Sequence, residues 1–206
     1  MEASGWPGRV ALLLIAFCAL RGAAGATVQQ LSWEGCRNES KHLNQLARDF
    51  HNQTYEVMVD PENPDREDPS FPRVNCSHSC DPCSLRGGSQ SCLQQIVQIL
   101  HWYRDLFAWM TKAIERKEKF QNLVGVARGI LQTMEALQQN LTKHGYASSG
   151  SDFESQSVHD WGWGIMLEKA AWNLISFSSI VARVFNPGNP HNHHPGAESN
   201  GLPCAQ

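Results

Sequence analysis

The chain carries no surplus of charge of either sign. Its 17 lysines and arginines stand against 20 aspartates and glutamates, for a formal net charge of −3. Without a basic excess there is no electrostatic footprint for nucleic acid. Alternation of apolar and polar residues is also missing, so no strand is expected beyond a short extended piece at Tyr55 to Val59. There is no internal repeat. No Ser/His/Asp set, carboxylate pair or phosphate loop is placed by the pattern, so no enzymatic role and no cofactor are expected. Long hydrophobic runs are absent too, except for Val10 to Leu20, which is too short to span a bilayer. Arg9 precedes that run and Ala24-Gly25-Ala26 follows it, which reads as a signal peptide over residues 1–26 with its cleavage site. The remainder divides into a helical domain at residues 27–186 and a disordered tail at residues 187–206. That tail holds His191, His193 and His194, but loose histidines in a proline-rich segment do not make a metal site. Secretion is the expected destination, with no membrane anchor.

Helical periodicity, in contrast, is abundant. The stretch from Trp161 to Phe185 is free of proline and repeats apolar residues at 166, 170, 174, 177, 181 and 184, which places them on one face of a helix roughly 35 Å long. Asn186-Pro187-Gly188 stops it. Arg183 stands near the end of this apolar face, and Trp161 and Trp163 lie at its start between glycines, beyond the periodic face. Three earlier stretches behave alike. The first runs from Leu31 to about Phe50, and the pattern breaks from Asn52. The second starts with Ser89 as N-cap and buries Cys92, Ile96, Ile99, Leu100, Tyr103, Leu106, Phe107 and Met110. The third carries Phe120, Leu123, Val124, Ala127, Ile130, Leu131, Met134, Leu137 and Leu141, and ends at His144-Gly145. Within it Gly125 and Gly129 each cost about 1 kcal/mol against alanine, which points to a close helix–helix approach. The charged run Thr111 to Lys119 is a solvated helix face or a short connection, and no strong breaker places the turn.

Connection lengths select the topology. Four prolines between Asp60 and Pro72 exclude helix, making a long loop to about Gly88, and Tyr146 to Asp160 is a second long loop. Returning along about 30 Å takes roughly ten extended residues, and both loops exceed that. Long, short and long connections give an all-α, four-helix, up-up-down-down bundle.

Cysteine, unlike charge, is well supplied. Of seven, Cys18 leaves with the signal, and Cys36, Cys76, Cys80, Cys83, Cys92 and Cys204 remain. In a secreted chain they are disulfide candidates. Cys80-Asp81-Pro82-Cys83 could instead be a redox pair, but no strand–helix unit accompanies it. Zinc held by these cysteines with His78 would have an irregular spacing. Sequence leaves the connectivity open. Asn-x-Ser/Thr sequons stand at Asn38, Asn52, Asn75 and Asn140, each a possible glycosylation site.

The block from Cys76 through Cys80-Asp81-Pro82, Leu85-Arg86, Ser89-Gln90 and Cys92-Leu93-Gln94 to Ile96 resembles the interleukin-23 alpha subunits, within the interleukin-6/interleukin-12 family of long-chain helical cytokines. So do the ending Ala182-Arg183-Val184-Phe185 and the pair Trp33 and Cys36. The resemblance implies a long-chain cytokine bundle that pairs covalently with interleukin-12 subunit beta. It implies a pro-inflammatory heterodimer engaging two receptor chains, of interleukin-23 receptor and interleukin-12 receptor beta-1 type, and signalling through Janus kinases and STAT proteins. It also implies that Cys80 and Cys92 form the internal disulfide and that Cys76 bonds the beta subunit. By the same resemblance Arg183 enters an acidic pocket on that subunit and Trp161 packs on the receptor. Cys83 and Cys204 have no counterpart in the pattern, and Cys36 has no assigned partner. Residue chemistry allows plainer alternatives: Arg183 could reach back to the carbonyls of its helix end, and Trp161 could fold onto the loop before it. A stand-alone helical cytokine, or a small redox or lipid-binding helical protein, are the rival functions. The favoured reading expects one apolar flank of the last helix to be left bare for another polypeptide, with the Arg183 guanidinium at its far end.

Overall fold

The computed structural model describes residues 33–57, 70–75, 80, 90–143, 145–146, 150–155, 158–159 and 162–186. All lie in the unit that spans residues 31–206. The expected signal peptide and tail, and the proposed N-cap Ser89, lie outside the described residues.

Four α-helices carry the fold: α1 Trp33–Val57, α2 Gln90–Ile114, α3 Gln121–Thr142 and α4 Trp163–Phe185. No strand occurs among the described residues, and no described helix is long and apolar enough to cross a membrane. Two helices run further than their apolar pattern suggests. α1 passes Asn52 and takes in Tyr55–Val57, which is helix and not an extended piece. Thr54 continues the stripe of Leu43, Ala47 and Phe50 into the interior, and its hydroxyl donates to the Phe50 carbonyl at 2.7 Å. That bond removes the penalty of burying a hydroxyl. Thr111 does the same in α2, donating to the Phe107 carbonyl at 2.6 Å, so the helix reaches the fully buried Ile114. The charged run therefore divides. Its first four residues belong to α2, Glu115 to Lys117 form the turn, and a 3₁₀ turn, Glu118–Phe120, leads into α3. The turn is closed by Lys117 N–H to the Ile114 carbonyl at 3.0 Å and by the Gln121 amide to the Glu115 carbonyl at 2.8 Å. At the far end of α3, Gly145 adopts φ +88°, a left-handed conformation that suits glycine, and its N–H bonds the Thr142 carbonyl at 3.0 Å.

Ring and polar contacts give the direction of every helix. Trp33 meets Phe185, Asn44 meets Ser178, and His51 meets Trp172, so α1 and α4 are antiparallel. Tyr103 meets Phe177 and Trp109 meets Trp163, so α2 is antiparallel to α4 and hence parallel to α1. Arg104 meets Gln138 and Glu115 meets Arg128, so α3 opposes α2. The result is up-up-down-down. The core between the helices is filled by Phe50, Phe107, Tyr103, Phe185 and a set of leucines and isoleucines, with Phe50 and Phe107 edge to face at 5.3 Å.

Neither α3 glycine marks an approach too close for a side chain, and only one of them faces a neighbouring helix. A Cβ on Gly129 would stand 3.5 Å from the Leu46 side chain of α1, whereas one on Gly125 would meet nothing within 4 Å. Both crossover connections are pinned on α2 by an aromatic residue: Phe71 lies 5.4 Å from the Trp102 ring, and Phe153 lies 5.6 Å from it.

Candidate functional site: the outer face of the first and last helices

The face of α4 that carries Ala170, Leu174, Phe177, Val181 and Val184 is buried by the chain's own bundle. The expected bare apolar flank is therefore covered. What α4 leaves toward solvent is a narrower second stripe, in which Ile165, Lys169, Trp172, Ser176 and Arg183 follow one another at steps of four, three, four and seven. Ile165 is 42% exposed, Trp172 is half-buried, and Arg183 is exposed. Arg183 thus belongs to the solvent side and not to the apolar face, because its position is offset from Val181 and Val184, which point inward. It makes no ion pair among the described residues. No desolvation has to be offset while this face is open.

α1 supplies the other half. Arg37, Lys41, Arg48 and Tyr55 recur at steps of four, seven and seven, all exposed. Glu34, one heptad before Lys41, is the carboxylate on that stripe. The two helices are locked side by side by a polar clasp. The Asn44 side-chain amide donates to Ser178 Oγ at 3.0 Å and Ser179 Oγ at 2.9 Å, and Arg48 Nε donates back to Asn44 Oδ1 at 3.2 Å. The His51 and Trp172 rings lie 5.7 Å apart across the same seam. Tyr55 at 57% and Ile165 at 42% are the exposed large hydrophobic residues among those described, and the antiparallel register places both near one end of the pair. The face is an apolar strip flanked by cations.

At the start of α4 the bundle core continues one turn further than the periodicity implies. Trp163 is 5% exposed and packs 5.1 Å from Trp109, because α2 extends far enough to present that ring. Trp163 is a core residue and not a surface one. Trp161 lies outside the described residues.

A disulfide joins Cys80 to Cys92, with Cα atoms 5.0 Å apart, and ties the first crossover connection to the first turn of α2. Cys36 is free and fully buried, and burial, with a smaller effect of Glu39, pushes its thiol up to about 12, which makes it unreactive at neutral pH. Cys76, Cys83 and Cys204 lie outside the described residues. The sequon asparagines Asn38, Asn52 and Asn75 are exposed, and Asn140 is half-buried on α3. The sequence pattern puts Ile165 alongside the apolar face of the last helix, whereas it is exposed, and it does not join Ile165 with Tyr55 and Trp172 as a set. The only signal of that set was a second run of three- and four-residue steps opposite the core stripe.

Comparison with known proteins gives consistent matches. The family model described as interleukin 23 subunit alpha matches residues 31–189, which takes in all four helices. The interleukin-23 subunit alpha of Mus musculus is 28% identical over 158 residues, covering 76% of this chain and 79% of the relative. That of Homo sapiens is 26% identical over 185 residues, 87% of this chain and 94% of the relative. That of Cavia porcellus is 37% identical over a shorter stretch of 76 residues, 36% of this chain and 40% of the relative.

Proposed function

The chain belongs to the interleukin 23 subunit alpha family, and from that premise we propose that it is secreted and acts as the helical half of a disulfide-linked heterodimer. Its family makes it a cytokine subunit and not an enzyme. The partner in this reading is interleukin-12 subunit beta, seated on the outer face of α1 and α4 and bonded through Cys76. Arg183 is the anchoring charge. The heterodimer then engages two receptor chains, of interleukin-23 receptor and interleukin-12 receptor beta-1 type, with Trp161 at the receptor contact, and signals through Janus kinases and STAT proteins.

The observation that carries the reading is Arg183 itself: an exposed guanidinium without an ion pair among the described residues, at the end of a strip holding Ile165 and Trp172. The cations Arg37, Lys41 and Arg48 beside it favour an acidic partner surface. Guanidinium is suited to bidentate pairing with a carboxylate there. Co-expression with the beta subunit and a non-reducing gel test the assembly. A covalent heterodimer that disappears with Cys76→Ser supports it, and a persistent band assigns the bond to another cysteine. Trp161→Ala should leave assembly intact while weakening receptor binding in surface plasmon resonance, and an unchanged affinity removes that residue from the contact.

One finding favours a second reading. Because the bundle buries the apolar face of α4 by itself, the chain has what it needs to fold alone and act as a stand-alone cytokine. Size-exclusion chromatography of the chain expressed without the beta subunit separates the two: a stable monomer supports independent action, and aggregation supports an obligate companion.

A further inference from the structure

A second surface feature lies away from the α1/α4 face. Between α2, the start of α4 and the two crossover connections there is a cavity of about 220 Å³. That is below the roughly 300 Å³ at which pockets begin to hold drug-sized ligands, so its occupant is about one side chain in size. Phe71, Trp102 and Phe153 form aromatic walls and Met166 contributes from α4. Trp102 meets Phe71 at an interplanar angle of 67° and Phe153 at 87°. Trp102 also meets Tyr103 at 5.3 Å and Phe153 meets Trp109 at 6.0 Å, while Phe71 is buried, so Trp102 and Phe153 are the half-buried rings that line the cavity. Asp152 and Glu154, on either side of Phe153, complete the lining together with Ser70 and Leu106. Both carboxylates are exposed, and neither makes an ion pair among the described residues.

Aromatic faces carry negative charge density, and so do carboxylates; both attract a cation and repel an anion. A neutral apolar side chain would gain nothing from Asp152 and Glu154. We infer that this cavity is a slot for the cationic side chain of a lysine or arginine presented by a protein partner. It does not rest on the heterodimer reading, since its lining includes none of Ile165, Trp172, Arg183 and the α1 cations.

The test uses the full chain with ¹⁵N-labelled tryptophan, its Trp102 indole resonance assigned with Trp102→Phe. Nα-acetyl-arginine methylamide and Nα-acetyl-lysine methylamide are titrated in, with Nα-acetyl-norleucine methylamide as the neutral control. The expected result is a saturable shift of the Trp102 indole N–H with both cations and none with norleucine at equal concentration. Asp152→Asn combined with Glu154→Gln, two exposed loop changes that leave the core alone, should weaken the cations by about fivefold. Absence of a saturable shift overturns the inference. So does an equal response to norleucine, which makes the cavity a plain apolar slot, or an unchanged affinity in the double variant.

Discussion

The ring of Tyr103 lies flat against that of Phe177, with centroids 5.2 Å apart and planes 15° from parallel. Tyr103 is fully buried, yet its hydroxyl has no hydrogen-bond partner among the described residues, and burial pushes its ionisation far above the usual phenol range. The stacked pair contributes about 0.5–1.5 kcal/mol beyond area burial, while an unpaired buried hydroxyl costs about 1–3 kcal/mol. Tyr103→Phe keeps the first and removes the second. It should stabilise the bundle by about 1 kcal/mol, which for a domain of this size raises the thermal midpoint by about 2–4 °C. Circular dichroism melting checks it. A lower midpoint means that the hydroxyl finds a partner in solution.

The Cys80–Cys92 bond closes a short loop, a sequence separation of 12. Constraining such a loop in the unfolded chain stabilises the fold by about 3 kcal/mol in the entropic model. The double change Cys80→Ser with Cys92→Ser should lower the urea midpoint accordingly, with the slope little changed. A loss under about 0.5 kcal/mol would mean that Phe71, packed on Trp102 and Tyr103, already holds the connection in place.

The core stripes of α2, α3 and α4 were legible in the sequence because apolar side chains at three- and four-residue steps have no other use. Helix ends were harder. Thr54 and Thr111 look polar in a sequence, but each bonds a carbonyl four residues back and so continues the buried stripe. Trp163 looked peripheral because its partner, Trp109, is distant in sequence. Phe71 and Phe153 are single aromatics in polar connections, with no periodicity to mark them as anchors. Arg183 stands out in the sequence as a lone cation near the apolar face, but it lies on the solvent side of α4: near a helix end, one position turns a side chain by 100°. The outer strip of Ile165 and Trp172 went unseen because two apolar residues seven apart do not rise above a helix whose other face is apolar throughout.

The two glycines of α3 separate propensity from packing. Gly125→Ala enters open space and should stabilise by about 0.5–1 kcal/mol through helix propensity. Gly129→Ala places a methyl at ordinary contact distance, 3.5 Å, from Leu46 and should gain about as much. Gly129→Leu, with more atoms in the same gap, should lose about 1–3 kcal/mol. Thermal melting of the three variants tests this, and a stable Gly129→Leu would show that α1 and α3 can separate without cost.

His101 gives the bundle a pH dependence of known sign. Its pKa lies below the usual histidine value because burial disfavours the cation and Arg104 repels it, with Asp105 acting the other way. The unfolded chain therefore takes up this proton first as the pH falls. The stability it represents is complete above about 6.5 and is lost as the pH drops through the lower folded-state value. His101→Gln should narrow the gap between thermal midpoints at pH 7.5 and pH 5.5 relative to the unaltered chain. An equal gap in both proteins would assign the acid sensitivity to other groups.

Arg183 decides between a structural and an associative role for the last turn of α4. If the guanidinium served the fold, its removal would cost stability. It is exposed and without an ion pair among the described residues, so Arg183→Ala should shift stability by no more than about 0.5 kcal/mol. If it anchors the beta subunit, the same change should reduce the yield of secreted heterodimer in co-expression. Arg183→Lys should restore the yield only in part, because a point charge cannot make the paired hydrogen bonds of a planar fork. A melting curve of the chain alone and a pull-down of the co-expressed pair are read together. Loss of melting temperature with normal pairing would make Arg183 a helix-end residue of the bundle. Normal melting with lost pairing would make it the contact that joins the two chains.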